Sequence, residues 1–156
     1  MTNNDLLRRL AYTFDLDDDD VAALFSTDEE RSERAQVRRW LRFEEDPEFA
    51  EVSDVLMARF LDAFIVSRRG PAPGSPRPPE TRLNNNIVLR KLKIALNLHE
   101  SDMLRLMKSG GREVGKPEMS ALFRREGHKH YRVCGDDFVR TFMEGVQREF
   151  GPDVID

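Results

Sequence analysis

Three residues in the last third of the chain are of the types that bind zinc or form a nucleophile pair. His128, His130 and Cys134 follow one another in an H-x-H-x3-C pattern. Imidazole nitrogens and thiolates are common zinc ligands, but a structural zinc site needs four, and His99 could join only if the fold brought it close. A Cys–His nucleophile pair would also need an orienting group and oxyanion donors. The pattern leaves a metal or thiol role open without establishing one.

An acidic run from Asp15 to Asp20 is reminiscent of a calcium-binding loop. An EF-hand loop requires oxygen ligands at alternate positions, glycine at the sixth position and glutamate at the twelfth. Counted from Asp15, the sixth position is Asp20 and the twelfth is Ser26. Because both diagnostic positions fail, we interpret the run as the acidic start of a helix, where carboxylates face the positive end of the helix dipole.

An internal repeat provides a control on these motifs. A shift of 82 residues aligns residues 3–65 with the second half of the chain without a gap. Under this shift Cys134 corresponds to Val52, while His128 and His130 correspond to Asp46 and Glu48. Since the paired positions do not share metal-binding or nucleophilic chemistry, we predict that Cys134 is a small buried apolar residue. We therefore expect no catalytic residue, no metal ligand and no cofactor.

Polar residues that are identical in both copies call for a different explanation. The pairs are Arg8 and Arg90, Arg42 and Arg124, and Glu44 and Glu126. One interpretation is an internal set of salt bridges or hydrogen bonds between the first and third helices of each copy. The other is a pair of equivalent surface sites, and the sequence leaves both open.

Basic residues are concentrated in the second copy, with histidine and tyrosine interleaved. We define a candidate interaction surface that consists of the duplicated polar pairs and of further residues of the second copy. These further residues are Lys91, Lys93, Arg125, His128, Lys129, His130, Tyr131 and Arg132. Such a surface could follow a phosphate backbone, with Tyr131 available for stacking on a base. The second and third helices are spaced somewhat as in a helix-turn-helix, although their connection is long for that motif.

Apolar residues recur at helical spacing, which predicts four helices in each copy. The first helix of each copy is expected to be capped by Asn3 or Asn4, and by Asn85 or Asn86. Asp54 and Asp136 are expected to cap the fourth helices. The predicted fold is all-α, with two tandem four-helix repeats that pack as a pseudo-twofold helical bundle.

A segment rich in proline and glycine separates the two copies. The predicted organisation is an acidic helical repeat at 1–69, a linker at 70–82, a mildly basic helical repeat at 83–150 and a tail at 151–156. Residues 1–70 carry 10 Lys and Arg against 17 Asp and Glu, whereas residues 83–156 carry 13 against 11. Because the two copies have net charges of opposite sign, we expect them to attract different partners.

Several bulk properties point to the cytoplasm. Charged residues make up 35% of the chain, and no apolar run is long enough to span a membrane. The N-terminus has no apolar signal-peptide core, and the single cysteine excludes an intrachain disulfide. We therefore expect a cytoplasmic protein.

Two segments carry a resemblance to a known family. They are NNNIVLRKL, from Asn84 to Leu92, and HKHYRVCGD, from His128 to Asp136. With these segments the chain resembles the YehS-like family of uncharacterised bacterial proteins, which carry a tandem domain of unknown function. The resemblance implies a small helical protein of the cytosol, and it brings no catalytic or ligand-binding residues with it.

These observations favour a non-enzymatic helical interaction protein, such as a regulator or adaptor. The alternative is a nucleic-acid-binding regulator that uses the basic face of the second repeat. We expect a protein or a nucleic acid as partner, and either a monomeric pseudo-dimer or a homodimer. An enzyme or metal protein centred on His128, His130 and Cys134 is the third hypothesis.

Overall fold

A computed structural model of the chain describes residues 1–74 and 77–152. Within these ranges the secondary structure is entirely helical, as the sequence predicts, with eight helices. The chain divides into two compact units, and the boundary along the chain falls between Leu83 and Asn84. Residues 75–76 of the predicted linker and residues 153–156 of the predicted tail lie outside the described residues.

The first unit consists of α1 (Asn3–Thr13), α2 (Asp18–Phe25), α3 (Arg34–Leu41) and α4 (Asp54–Arg69). Helix α2 packs against α3 and α4, and α1 also contacts both of those helices. Aromatic rings fill the centre, where the ring of Phe25 lies 4.6 Å from Trp40 and 4.9 Å from Phe60. The described part of the linker, residues 70–74 and 77–82, contains no helix.

The second unit repeats this order with α5 (Asn85–Ala95), α6 (Glu100–Ser109), α7 (Lys116–Leu122) and α8 (Asp136–Phe150). Here α6 packs against α7 and α8, and α5 contacts α8. Its centre has fewer aromatic rings: Met107 takes the place of Phe25 and Leu122 that of Trp40, while Phe142 takes that of Phe60, and all three are buried. Gly145 lies so close to α6 that a Cβ atom there would stand 2.0 Å from the carbonyl oxygen of Leu106.

The residues that cap the first helices differ from those we expected. The N-cap of α1 is Thr2, whose hydroxyl accepts the N–H of Asp5 at 3.1 Å, and the N-cap of α5 is Asn84. The asparagines predicted as caps instead bind the segment before the fourth helix. The side chain of Asn4 donates to the carbonyls of Trp40 and Ala50 and accepts the N–H of Val52.

Asn86 makes the same set of bonds in the second unit. Its amide donates to the carbonyls of Leu122 at 3.0 Å and Arg132 at 2.8 Å, and its oxygen accepts the N–H of Cys134 at 2.9 Å. Both asparagines are buried. Because a buried amide is stable only when its hydrogen bonds are made, each asparagine holds its segment in one conformation.

Asp54 and Asp136 are not caps but the first residues of α4 and α8. The cap of α4 is Ser53, whose hydroxyl accepts the N–H of Leu56, and the cap of α8 is Gly135. Asp54 and Asp136 instead accept hydrogen bonds from Asn3 and Asn85, each at 2.8 Å. Their duplication therefore reflects a second contact between the start of each unit and its fourth helix.

The acidic run is used in local structure. Asp15 adopts a left-handed conformation with a φ of 52°, as does its counterpart Asn97 with 53°. The Asp17 side chain caps α2 by accepting the N–H of Asp20 at 2.8 Å. Asp18 and Asp19 pair with arginines of α3, which accounts for the run without a calcium ion.

Candidate functional site

The segment between the third and fourth helices has the same backbone in both units. In the second unit the N–H of Tyr131 donates to the carbonyl of His128, and the N–H of Arg132 donates to that of Ala121. Phe49 and Ala50 make the equivalent bonds in the first unit, to Asp46 and Arg39. The two segments therefore carry different side chains on the same backbone conformation. Each side chain of the second unit can be compared with the one at the equivalent position of the first unit.

His128 takes the structural place of Asp46. The Nδ1 atom of His128 accepts the N–H of His130 at 3.0 Å, just as an Asp46 oxygen accepts the N–H of Glu48 at 2.8 Å. One ring nitrogen of His128 is thus occupied by the loop. No group of three or more His, Cys, Asp or Glu side chains in residues 1–74 and 77–152 is arranged to hold a metal ion.

Cys134 is buried, with 3% of its surface exposed, and its counterpart Val52 is equally buried at 2%. Burial, and secondarily the charge of Asp136, raises the pKa of the Cys134 thiol to about 11. Since the thiolate is the reactive form, this environment suppresses nucleophilic and metal-binding chemistry at neutral pH. Cys134 therefore occupies the position of a small apolar residue, as its alignment with Val52 predicts.

The duplicated polar residues differ between the units. In the first unit Arg8 donates to the carbonyl of Arg42 at 2.7 Å and lies over the ring of Phe43, so that it joins α1 to the end of α3. Arg42 in turn pairs with Asp46 at 2.9 Å, whereas Glu44 is exposed. In the second unit the counterparts are exposed: Arg90, Arg124 and Glu126.

Helix α7 and the segment that follows it enclose a surface concavity of about 790 Å³, which we call the basic groove. Its charged and aromatic lining consists of Lys116, Glu118, Arg124, Lys129, His130, Tyr131 and Arg132. The structure thus brings together five members of the predicted surface and adds Lys116. Lys116 lies several residues before the other cations of the groove in the sequence. It comes close to them because the segment after α7 folds back against that helix.

Other members of the predicted interaction surface lie elsewhere. Lys91 is buried rather than exposed, because it lies on the packed side of α5. The ammonium group of Lys93 lies over the ring of Phe123, 4.7 Å from its centre. Arg90 and Arg125 are exposed but do not line the groove.

The cations of the basic groove lack internal partners. Among the described residues, Lys116, Arg124, Lys129 and Arg132 form no ion pair. The one carboxylate of the groove, Glu118, is bound by Arg112 at 2.7 Å. The groove is therefore a concentrated positive surface on a chain whose net charge is −4.

Three arginines on the equivalent surface of the first unit are paired with carboxylates. Arg34 pairs with Asp19 at 2.6 Å and Arg38 pairs with Asp18 at 3.0 Å. The counterpart of Arg124 is Arg42, which is held by Asp46; the N–H of Glu48, together with Arg42, keeps the pKa of that carboxyl below its usual range. Lys116 and Arg124 are thus unpaired at positions where their counterparts Arg34 and Arg42 are paired.

No described helix is both long enough and apolar enough to cross a lipid bilayer. Six residues, 110–115, separate α6 from α7, which exceeds the turn of a helix-turn-helix. The resemblance to that motif therefore does not extend to the connection between its helices.

Comparison with known proteins agrees with the internal repeat. A family described as "Protein of unknown function (DUF1456)" matches the chain twice, at residues 3–70 and 85–150. The chain is also 35% identical over 147 residues to the "Uncharacterized protein YehS" of Escherichia coli (strain K12), a match that covers 94% of each chain. No solved structure matches the chain. The chain therefore belongs to the DUF1456 family, as a tandem pair of its domains.

Proposed function

We propose that this chain is a non-enzymatic interaction protein of the cytoplasm, such as a regulator or adaptor, and that it binds an anionic partner in the basic groove. One observation carries the proposal: the groove cations of the second unit lack internal carboxylate partners, whereas Arg34 and Arg42, the counterparts of Lys116 and Arg124, are paired with carboxylates. Unpaired cations in a concave surface attract anionic groups and accelerate their association.

The absence of enzymatic activity is part of the proposal. Its support is the buried, protonated thiol of Cys134 and the structural use of His128 by its own loop. A nucleophile needs an accessible thiolate and a base within hydrogen-bond reach, and burial opposes the first of these.

Retention on immobilised heparin, used as a generic polyanion, tests the proposal. In the groove variant Arg124→Gln, Lys129→Gln and Arg132→Gln are combined. In the control variant Arg34→Gln, Arg38→Gln and Arg42→Gln remove the same charge from the first unit. We expect the groove variant to elute at clearly lower salt than the control, because it removes unpaired cations rather than paired ones.

Two results would contradict the proposal. The first is equal loss of retention in both variants, which would mean that net charge rather than the groove determines binding. The second is no retention of the unmodified protein at about 50 mM salt, where electrostatic binding is strong.

Nucleic acid is the second candidate partner, favoured by the presence of Tyr131 among the groove cations. Aromatic side chains within a basic groove bind single strands by stacking on their bases. Titration with single-stranded and duplex oligonucleotides at two salt concentrations tests this alternative. Strong binding with a steep salt dependence would favour it, and no binding at about 50 mM salt would exclude it.

A further inference from the structure

The basic groove continues into a second concavity. This adjoining groove, of about 590 Å³, shares Glu118 and Arg132 with the basic groove. Its lining also includes Val133, Asp137 and Arg140. The two concavities therefore form one extended surface that is longer than the basic groove alone.

An exposed apolar residue lines the adjoining groove. Val133 directly follows the shared Arg132, and 77% of its surface is exposed. The equivalent residue of the first unit is Glu51, which is the choice expected for a solvated position. An isolated exposed valine is ordinary on a protein surface, but Val133 lies within a concavity beside unpaired cations, where a bound segment would cover it.

The charges along the extended surface are unequal. The unpaired cations Lys116, Arg124 and Lys129 line the basic groove. In the adjoining groove Arg140 is paired with Asp137, and Arg112 is paired with Glu118. Asp136 adds another carboxylate to that lining. The surface therefore changes from strongly positive to mixed along its length.

This change in charge distinguishes between two kinds of polyanion. A nucleic acid carries a negative charge at every nucleotide, so its backbone would meet the carboxylates Asp136 and Asp137 as it continued into the adjoining groove. A peptide can place carboxylates on the cations and an uncharged residue beyond them. Apolar contact at Val133 suits the peptide, because an aliphatic side chain can cover a valine while neighbouring carboxylates stay on the cations.

We infer that the basic groove binds an acidic peptide segment of another protein, with carboxylates on Lys116, Arg124 and Lys129 and an apolar side chain on Val133. This inference rests on the proposed function, since it assigns a class of partner to the same groove. It adds the adjoining groove and Val133 to the binding surface.

Fluorescence anisotropy with three labelled probes tests the inference on the full-length protein. The first probe is a glutamate-rich peptide that contains one leucine. The second is the same peptide with serine in place of leucine, and the third is a thymidine oligonucleotide of equal net charge. We expect the leucine peptide to bind best, by about tenfold over the serine peptide, because covering Val133 removes apolar surface from water.

Substitution of Val133 separates the apolar contact from the charge contact. In Val133→Ser the preference for the leucine peptide should disappear, while binding of the serine peptide is unchanged. Val66→Ser is the matched control, because Val66 is an exposed valine of the first unit, with 48% of its surface accessible. That control should keep the full preference.

The remaining outcomes contradict the inference in distinguishable ways. Equal binding of the two peptides, or a preference that survives in Val133→Ser, would overturn the inference and leave the proposed function intact. Tighter binding of the oligonucleotide than of either peptide would also overturn it, in favour of nucleic acid. If no probe binds at about 50 mM salt, both the inference and the proposed function fail.

Discussion

The side-chain oxygen of Asn86 accepts the backbone N–H of Cys134 at 2.9 Å, although 48 residues separate them in the chain. With its two other bonds, to the carbonyls of Leu122 and Arg132, Asn86 connects the start of α5 to the segment that lines the basic groove. The position of the groove residues therefore depends on a buried amide that belongs to none of the groove-lining elements.

We predict that Asn86→Ala lowers the free energy of unfolding by roughly 3 kcal/mol, since three hydrogen bonds to backbone groups are lost, two of them buried, and their partners are left unsatisfied. Urea denaturation measures this change. Asn84→Ala is the control from the same segment. It removes only the cap of α5, and it should cost about 1 kcal/mol. Equal effects of the two substitutions would show that Asn86 has no special structural role.

Gly145 is expected to be intolerant of any side chain. The added methyl of Gly145→Ala would stand 2.0 Å from the carbonyl oxygen of Leu106, so α6 and α8 would have to separate. Overpacking of this kind costs about 3 kcal/mol, measured as a lower thermal midpoint or a lower denaturant midpoint. Gly135→Ala is the control, because an added Cβ atom there meets nothing within 4 Å. A stable Gly145→Ala protein would contradict the close approach of the two helices.

Alkaline pH should destabilise the second unit through Cys134. The folded state raises the pKa of this thiol from about 9 to about 11, so the thiolate is favoured in the unfolded chain. Below pH 9 the thiol is protonated in both states, and its full contribution to stability is present. As the pH rises from 9 to 11, the free energy of unfolding falls by on the order of 2 kcal/mol.

Denaturation of the protein and of Cys134→Val at several pH values measures this contribution by difference. Valine is the residue at the equivalent position 52, so the substitution preserves the packing while it removes the titrating group. We expect the two stability curves to diverge above pH 9. Parallel curves up to pH 11 would mean that burial does not shift the Cys134 pKa.

The first unit should acquire affinity for polyanions when its arginines are released. Asp18→Asn, Asp19→Asn and Asp46→Asn together remove the partners of Arg38, Arg34 and Arg42. We expect the triple variant to elute from heparin at higher salt than the unmodified protein, because its α3 would then resemble the basic groove.

The control for that experiment removes three exposed carboxylates from the same unit without releasing an arginine of α3. Asp28→Asn, Glu29→Gln and Glu51→Gln meet this requirement and give the same net charge. A similar shift of both variants would attribute the effect to net charge alone. A larger shift for the first variant would show that pairing keeps this surface of the first unit from binding anions.

The helical pattern was predictable because helix formation depends on local periodicity. Apolar residues at helical spacing predict four helices in each copy, and the structure confirms this prediction. The alignment of Cys134 with Val52 likewise predicted a buried position, since equivalent positions in a repeat occupy equivalent places in the core. These two predictions did not require knowing which residues, far apart in the sequence, contact each other in the fold.

The prediction of the N-caps of the first helices was wrong, and the reason is also physical. Asparagine favours the N-cap, but the same amide can satisfy buried backbone groups of a distant segment, and Asn4 and Asn86 do so. Thr2 and Asn84 precede the first helices and cap them instead. Whether an asparagine caps a helix or binds a distant segment depends on contacts between residues far apart in the chain. Local helix propensity carries no information about such contacts.

By itself the sequence determined the tandem all-α architecture, the family and the charge difference between the copies, because these follow from composition, periodicity and similarity. Only the tertiary structure decided which charges are unpaired. Lys116 meets Arg124, Lys129 and Arg132 because the segment after α7 folds back against that helix, whereas Arg34 and Arg38 of α3 meet carboxylates. Electrostatic pairing depends on distances of a few ångströms in space, and these are established only when the chain has folded.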